Sequence, residues 1–156
     1  MKTDLEKVFS VAGYSGLYSF VSKGRTGVIV ESLIDKKRMN ASSSMRVTTL
    51  KDVAIYTDTE TLPLRDVLLK IKEKQNGAPA IDHKSSPDVL KKYFEEVLPD
   101  YDRERFYPSH MKKVMEWYNM LQKNDMLDFK EDETEETEEE EKAEEIGEEE
   151  ELKNNQ

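Results

Sequence analysis

The chain has 156 residues, 36% of them hydrophobic and 37% charged, which is material for one ordinary domain or two very small ones. Cysteine is absent, so a disulfide framework, a thiolate metal site and a cysteine nucleophile are all excluded. The net charge of −10 is an average over unlike parts: residues 131–156 hold 15 Asp/Glu against 2 Lys/Arg, a net of −13, and residues 1–130 carry +3.

No stretch reaches the ~18 consecutive apolar residues of a membrane span, and the start Met1-Lys2-Thr3-Asp4-Leu5-Glu6 lacks an apolar signal core. A cytoplasmic location with no membrane partner is the expectation. The first strand is read in Gly16-Leu17-Tyr18-Ser19-Phe20-Val21-Ser22, where Leu17, Ser19 and Val21 alternate with Tyr18 and Phe20. Lys23-Gly24-Arg25-Thr26-Gly27 follows as a tight turn, its two glycines expected at positive φ, and leads into the β-branched strand 28–34. Asp35-Lys36-Lys37-Arg38 makes a second polar turn. Short strands at 39–41, 46–48 and 53–56 bring the count to five, enough for a small bent antiparallel sheet or barrel.

The period then changes. Leu64, Val67, Leu68 and Ile71 recur at helical spacing behind Thr61 as cap and Pro63 in the first turn, predicting a helix of about 13 residues. Residues 75–85 combine helix-stop and linker chemistry. Ser86-Pro87-Asp88 opens a second helix with a stripe of Val89, Leu90, Tyr93, Phe94 and Val97, ended by Leu98-Pro99-Asp100. Pro108-Ser109 starts a third, with Met111, Val114, Met115, Tyr118 and Leu121 on one face and Trp117 at its border. Two helices make a thin core, which must dock on the first module or on a partner. The fold class expected is α+β: a small antiparallel SH3-like sheet or barrel with its helix over 1–76, a linker over 77–85, a helical module over 86–130 and a disordered Glu-rich tail over 131–156.

Catalytic motifs are missing at the level of spacing. His83 and His110 are isolated, with no H-E-x-x-H pattern, and read as exposed histidines. Gly13, Gly16, Gly24 and Gly27 match no phosphate-binding fingerprint, and Glu95-Glu96 reads as a solvated helix face. A non-enzymatic protein without cofactor or metal is therefore expected, an enzyme with a non-linear site being the remaining alternative.

Two sets of residues are candidate contact sites. Residues 1–76 carry +4, and Lys23, Arg25, Lys36, Lys37 and Arg38 fall in turns; at one end of a barrel they would form a cationic rim for RNA, DNA or the ribosome, with Tyr14, Tyr18 or Tyr56 as stacking surfaces. Tyr101, Arg103, Arg105, Phe106 and Tyr107, with Trp117, are the aromatic and arginine types that anchor protein interfaces, or they close the thin core. The acidic tail either solvates the chain, masks a cationic surface in cis, or captures a basic partner.

The phrases Gly16-Leu17-Tyr18, then Gly27-Val28-Ile29-Val30-Glu31-Ser32-Leu33, Asp82-His83-Lys84, the run 93–102, Lys112-Lys113-Val114 and Trp117-Tyr118-Asn119 resemble a family of Bacteroidota proteins known as a domain of unknown function. The resemblance covers roughly residues 4–127. It implies a bacterial cytoplasmic protein, frequently tail-bearing, and brings no catalytic residue, cofactor or substrate. The functional expectation is a binding or adaptor protein with a macromolecular partner, protein or RNA/ribosome.

Overall fold

In the computed structural model, which describes residues 2–130, a 3-10 turn at Leu5–Lys7 feeds β1 (Val8–Val11), followed by β2 (Tyr18–Lys23), β3 (Gly27–Ser32), β4 (Arg38–Ser42) and β5 (Val47–Thr49). The five strands form one antiparallel sheet in the order β4-β3-β2-β1-β5, because β5 returns to pair with β1. A second 3-10 turn, Leu50–Asp52, leads to the hairpin β6 (Ala54–Tyr56) and β7 (Thr61–Pro63), and then to α1 (Leu64–Gln75), α2 (Pro87–Val97) and α3 (Pro108–Lys123). The class is α+β, as expected. The acidic tail expected over 131–156 lies outside the described residues.

The strands are explained by which residues they bury on which face. Val11, Tyr18, Val30 and Ala41 form a small core on one face of the sheet, with Phe9, Val28, Met39 and Val47 packed at its margin. Val8, Leu17 and Leu33 have the opposite parity and belong to a larger core that also takes in the helices. A β-bulge interrupts the alternation: Phe20 pairs with Val30 but Ser22 with Ile29, which leaves Val21 as the extra residue of β2.

The glycines of the β2–β3 turn work differently from the expectation. Neither Gly24 nor Gly27 has a positive φ. Gly27 is required by proximity, since a Cβ there would stand 2.1 Å from the Ala41 carbonyl oxygen across the β3–β4 pair. The positive φ of this region falls on Lys36 (64°) in the next turn, where the Asp35 carboxylate accepts from the Lys37 N–H at 3.0 Å.

The helix starts follow the sequence at α2 and depart from it at α1. Ser86 Oγ accepts from the Val89 N–H at 3.4 Å, with Pro87 in the first turn. Thr61, expected as a cap, is a strand residue opposite Tyr56, and Pro63 precedes Leu64 with no side-chain cap. The Leu64 N–H instead donates to the Val53 carbonyl at 2.9 Å, so the hairpin satisfies the helix start. At the other end Asn76 takes the left-handed conformation (φ 53°), and the Gly77 N–H returns to the Lys72 carbonyl at 3.0 Å. Val89, assigned to the apolar stripe of α2, is 46% exposed; Leu90, Tyr93, Phe94 and Val97 carry that face.

The larger core does not respect the segment 77–85. Leu5, Val8, Leu17, Leu33 and Leu50 from the N-terminal part meet Val67, Leu68 and Ile71 of α1, Leu90 and Phe94 of α2, and Met111, Met115, Tyr118 and Leu121 of α3 in one cluster. The 77–85 segment is itself held on α3: Tyr118 Oη donates to the Ala78 carbonyl (2.8 Å), and Asn119 accepts from the Ala80 N–H (2.8 Å) and donates to the Ile81 carbonyl (2.9 Å). The ends of the described chain clip together, with Thr3 N–H donating to Asp128 O and Lys130 N–H to Thr3 O at 2.8 Å. No helix among the described residues is long and apolar enough to cross a membrane.

Gly27→Ala is expected to lower stability by about 2–3 kcal/mol, because backbone on a paired strand cannot move aside as a side chain would. Gly24→Ala, whose added Cβ meets its nearest neighbour at 3.2 Å, is expected to lose less. Urea unfolding midpoints of the two variants check the order. Tyr93, whose hydroxyl donates to Gln75 Oε1 at 2.8 Å, is pushed up to about 12, chiefly by burial. Its contribution is complete below pH ~10 and lost as pH rises towards 12, so Tyr93→Phe is expected to flatten the alkaline decline of stability.

Candidate functional site

A cleft of about 240 Å³ opens between β6 and the first half of α3. Its lining comes from residues 53–56, from Arg105 and Phe106, and from His110, Lys113, Val114 and Trp117. Phe106, Val114 and Trp117 are buried and supply an apolar floor. Arg105, His110 and Lys113 stand at the rim, and two exposed tyrosines flank it, Tyr56 as a lining residue (42% exposed) and Tyr107 beside His110 (51% exposed).

Backbone geometry gives this cleft an open strand edge. Val53 O and Thr57 N are bonded to Leu64 and Glu60 across the hairpin, and bonded residues alternate in an antiparallel pair. Ile55 therefore bonds towards β7, while Ala54 and Pro63 form a non-hydrogen-bonded pair. Ala54 and Tyr56 direct their backbone groups to the other side, where the Tyr56 carbonyl accepts from the Asp102 N–H at 3.0 Å. Residues 100–102 cover that edge through Tyr56 and Thr57 and then turn away. Among the described residues nothing covers the edge at Ala54, which is exposed and borders the cleft.

The rim side chains are held in different ways. Arg105 Nε donates to Asp102 Oδ2 at 2.7 Å, and its guanidinium lies 4.4 Å over the Tyr56 ring. The hydrogen bond from Arg105, followed by that from the Glu104 N–H, holds the Asp102 carboxyl below the usual carboxylate range; the same pairing raises Arg105. His110 Nδ1 accepts from the Tyr107 N–H at 3.2 Å, which leaves Nε2–H as its donor. Lys113 has no hydrogen-bond or ion-pair partner among the described residues.

The five cations expected to share a rim are not brought together. Lys23 and Arg25 sit at the β2–β3 turn, and Lys36, Lys37 and Arg38 at the β3–β4 turn. Consecutive turns of an antiparallel meander lie at opposite ends, here separated by β3, roughly 20 Å at ~3.3 Å per residue. Two of the five are also engaged: Arg38 with Glu31 at 3.4 Å and Lys36 Nζ with Asn124 Oδ1 at 2.6 Å. Of the stacking candidates, Tyr18 is buried inside the sheet, Tyr14 is exposed in the β1–β2 turn, and Tyr56 alone lines the cleft.

The aromatic loop divides. Tyr101, Phe106 and Trp117 are buried, with Phe106 packed edge-on against Phe94 and Tyr101. Arg103 folds back, its guanidinium 3.8 Å over the Tyr101 ring and Nη1 donating to the Tyr101 and Pro99 carbonyls. Arg105 and Tyr107 remain accessible at the cleft. Lys113, His110 and the Ala54 edge were not singled out as contact residues in the sequence. His83 is placed elsewhere, 3.4 Å from Asp82 and 3.5 Å from Glu116.

A solution NMR structure of a Bacteroides vulgatus protein, a structural genomics target, is 45% identical to this chain, with 78% of this chain and 87% of that one covered and a TM-score of 0.66. The chain belongs to the same Bacteroidota family. Two family models, each described as a domain of unknown function, divide it: DUF5606 over residues 5–50 and DUF6852 over residues 53–121. The family thus has two parts that meet in the turn after β5, and every residue lining the cleft lies in the second. No curated protein matches the chain.

Asp102 contributes stability above its unfolded value of ~3.9, and that contribution is lost as pH falls through its lower folded value. Asp102→Asn is expected to unfold with a weaker dependence on pH than the wild type below about pH 4. Thermal melts across that range check it, and parallel curves would contradict it.

Proposed function

We propose that this family member is a binding protein whose contact site is the cleft between β6 and α3, and that it receives an extended segment of a partner protein carrying an apolar side chain flanked by carboxylates. The observation that carries this reading is the conjunction of the Ala54 edge left open by the described residues, the apolar floor of Phe106, Val114 and Trp117, and a rim that combines the Arg105 and Lys113 cations with the His110 Nε2–H donor in one cleft. Addition of a strand to an open edge supplies main-chain bonds, and the pocket beside it selects side chains. Carboxylates fit the rim, since Lys113 is unpaired among the described residues and His110 offers Nε2–H. Tyr56 and Tyr107 add exposed aromatic surface at the margin, the residue type that dominates interface energetics.

The N-terminal sheet is read as an SH3-like barrel on its strand order, and that fold by itself assigns no ligand. The RNA or ribosome reading has weaker support, because its cations stand at two ends of the sheet.

A synthetic peptide with one isoleucine flanked by glutamates, titrated into the isotopically labelled full chain, is expected to shift the amides of Ala54, Lys113 and Trp117. Lys113→Glu is expected to weaken that binding about tenfold, ~1.4 kcal/mol. Shifts confined to Lys23 and Arg25, or stronger binding of a single-stranded RNA oligonucleotide at those turns, would overturn the assignment.

A further inference from the structure

The described chain ends beside the cleft. The Lys130 carbonyl accepts from Arg65 Nε at 3.2 Å, and the neighbouring Leu64 N–H donates to the carbonyl of Val53, the first lining residue, at 2.9 Å. Those links place the exit of residues 131–156 on the order of 10 Å from the cleft. The 26 residues that follow carry a net of −13, opposite in sign to the rim of Arg105 and Lys113. Two bulky apolar residues interrupt the carboxylates, Ile146 and Leu152. Leu152 is followed by Lys153, which would be repelled by Lys113. Ile146 stands between Glu144-Glu145 and Gly147-Glu148 and matches the composition that the cleft fits. The chain between Lys130 and Ile146 spans at most ~50 Å, several times the distance required.

We infer that residues 144–148 of this chain occupy the cleft in cis, with Ile146 on the floor of Phe106, Val114 and Trp117 and the flanking glutamates at Lys113 and His110. The inference rests on the cleft being the contact site and adds the regulation of that site. A tethered ligand competes at an effective concentration in the millimolar range. A partner segment gains access only by binding more tightly than this, or where salt screens the tail.

The absence of cysteine makes the test direct. A spin label on Gly147→Cys in the full chain leaves Ile146 in place, and the amides of Ala54, Lys113 and Trp117 are expected to lose most of their intensity while Lys23 and Arg25 at the far turn keep theirs. The loss is expected to disappear in roughly 1 M salt, where the screening length is ~3 Å, and when Ile146→Ser is added to the labelled chain. The unlabelled full chain carrying Ile146→Ser is expected to bind the isoleucine–glutamate peptide about tenfold more tightly than the wild type. Broadening that arises only between a labelled chain and a separate isotopically labelled copy would assign the tail to a second molecule and overturn the cis contact. No broadening at the cleft, with the peptide still shifting Ala54, would overturn the inference and leave the cleft as a partner site; no effect of either would overturn both.

Discussion

Contact between the N-terminal strands and the helices is the constraint on which the remainder of the molecule rests. Leu5, Val8, Leu17, Leu33 and Leu50 pack into the cluster built by α1, α2 and α3, and the Leu17 N–H donates to Met120 Sδ of α3 at 3.2 Å. Burying an aliphatic side chain of this size is worth ~1.5–3 kcal/mol, so five of them contribute on the order of 10 kcal/mol. The whole net stability of a domain is about 5–15 kcal/mol. The sheet has little interior of its own: its separate core consists of the buried residues Val11, Tyr18, Val30 and Ala41. The two family models, 5–50 and 53–121, therefore mark sequence units that share one hydrophobic core.

The cleft is built entirely within the second of these parts. Its β6 wall is fixed by the Val53–Leu64 bond to the start of α1, and its loop wall by Asp102 N–H on Tyr56 O and Asp58 N–H on Asp100 O. Phe106, Val114 and Trp117 are buried and set the depth of the floor. Arg105 is positioned by Asp102 and Tyr56 together, so the rim charge stands on an ordered base. A surface built on this core needs no folding step to receive an extended segment, which limits the ordering entropy of binding to the incoming chain.

Much of the fold was legible where a local rule decides. Ser86-Pro87 specifies the start of α2, and the stripe from Met111 to Leu121 specifies the buried face of α3. Three features needed tertiary information. The bulge at Val21 has no local signature, and β1 is four residues long with Ser10 inside it, too short for alternation to stand out. Gly27 was read as a φ requirement, although the approach of Ala41 O explains it. The placement of Lys23 and Arg25 away from Lys36, Lys37 and Arg38 was available in principle, since successive hairpin turns alternate between the ends of a sheet. The aromatic loop could not be divided from composition alone, because Tyr101 and Phe106 closing a core and Tyr107 facing solvent are the same residue types. Of the cleft lining, Tyr56, Arg105, Phe106 and Trp117 were already candidates in the sequence, whereas the Ala54 edge depends on a hairpin pairing that begins at Pro63.

The shared core is tested most directly by one equilibrium unfolding experiment on the full chain followed by two probes. Trp117, the single tryptophan, reports the helical side by its emission, and exchange protection of the Val30 and Ala41 amides reports the sheet. Coincident loss of both signals at the same denaturant concentration is the result expected of one cooperative unit. Sheet protection that is lost in a separate transition, while Trp117 keeps its native emission, would contradict the account.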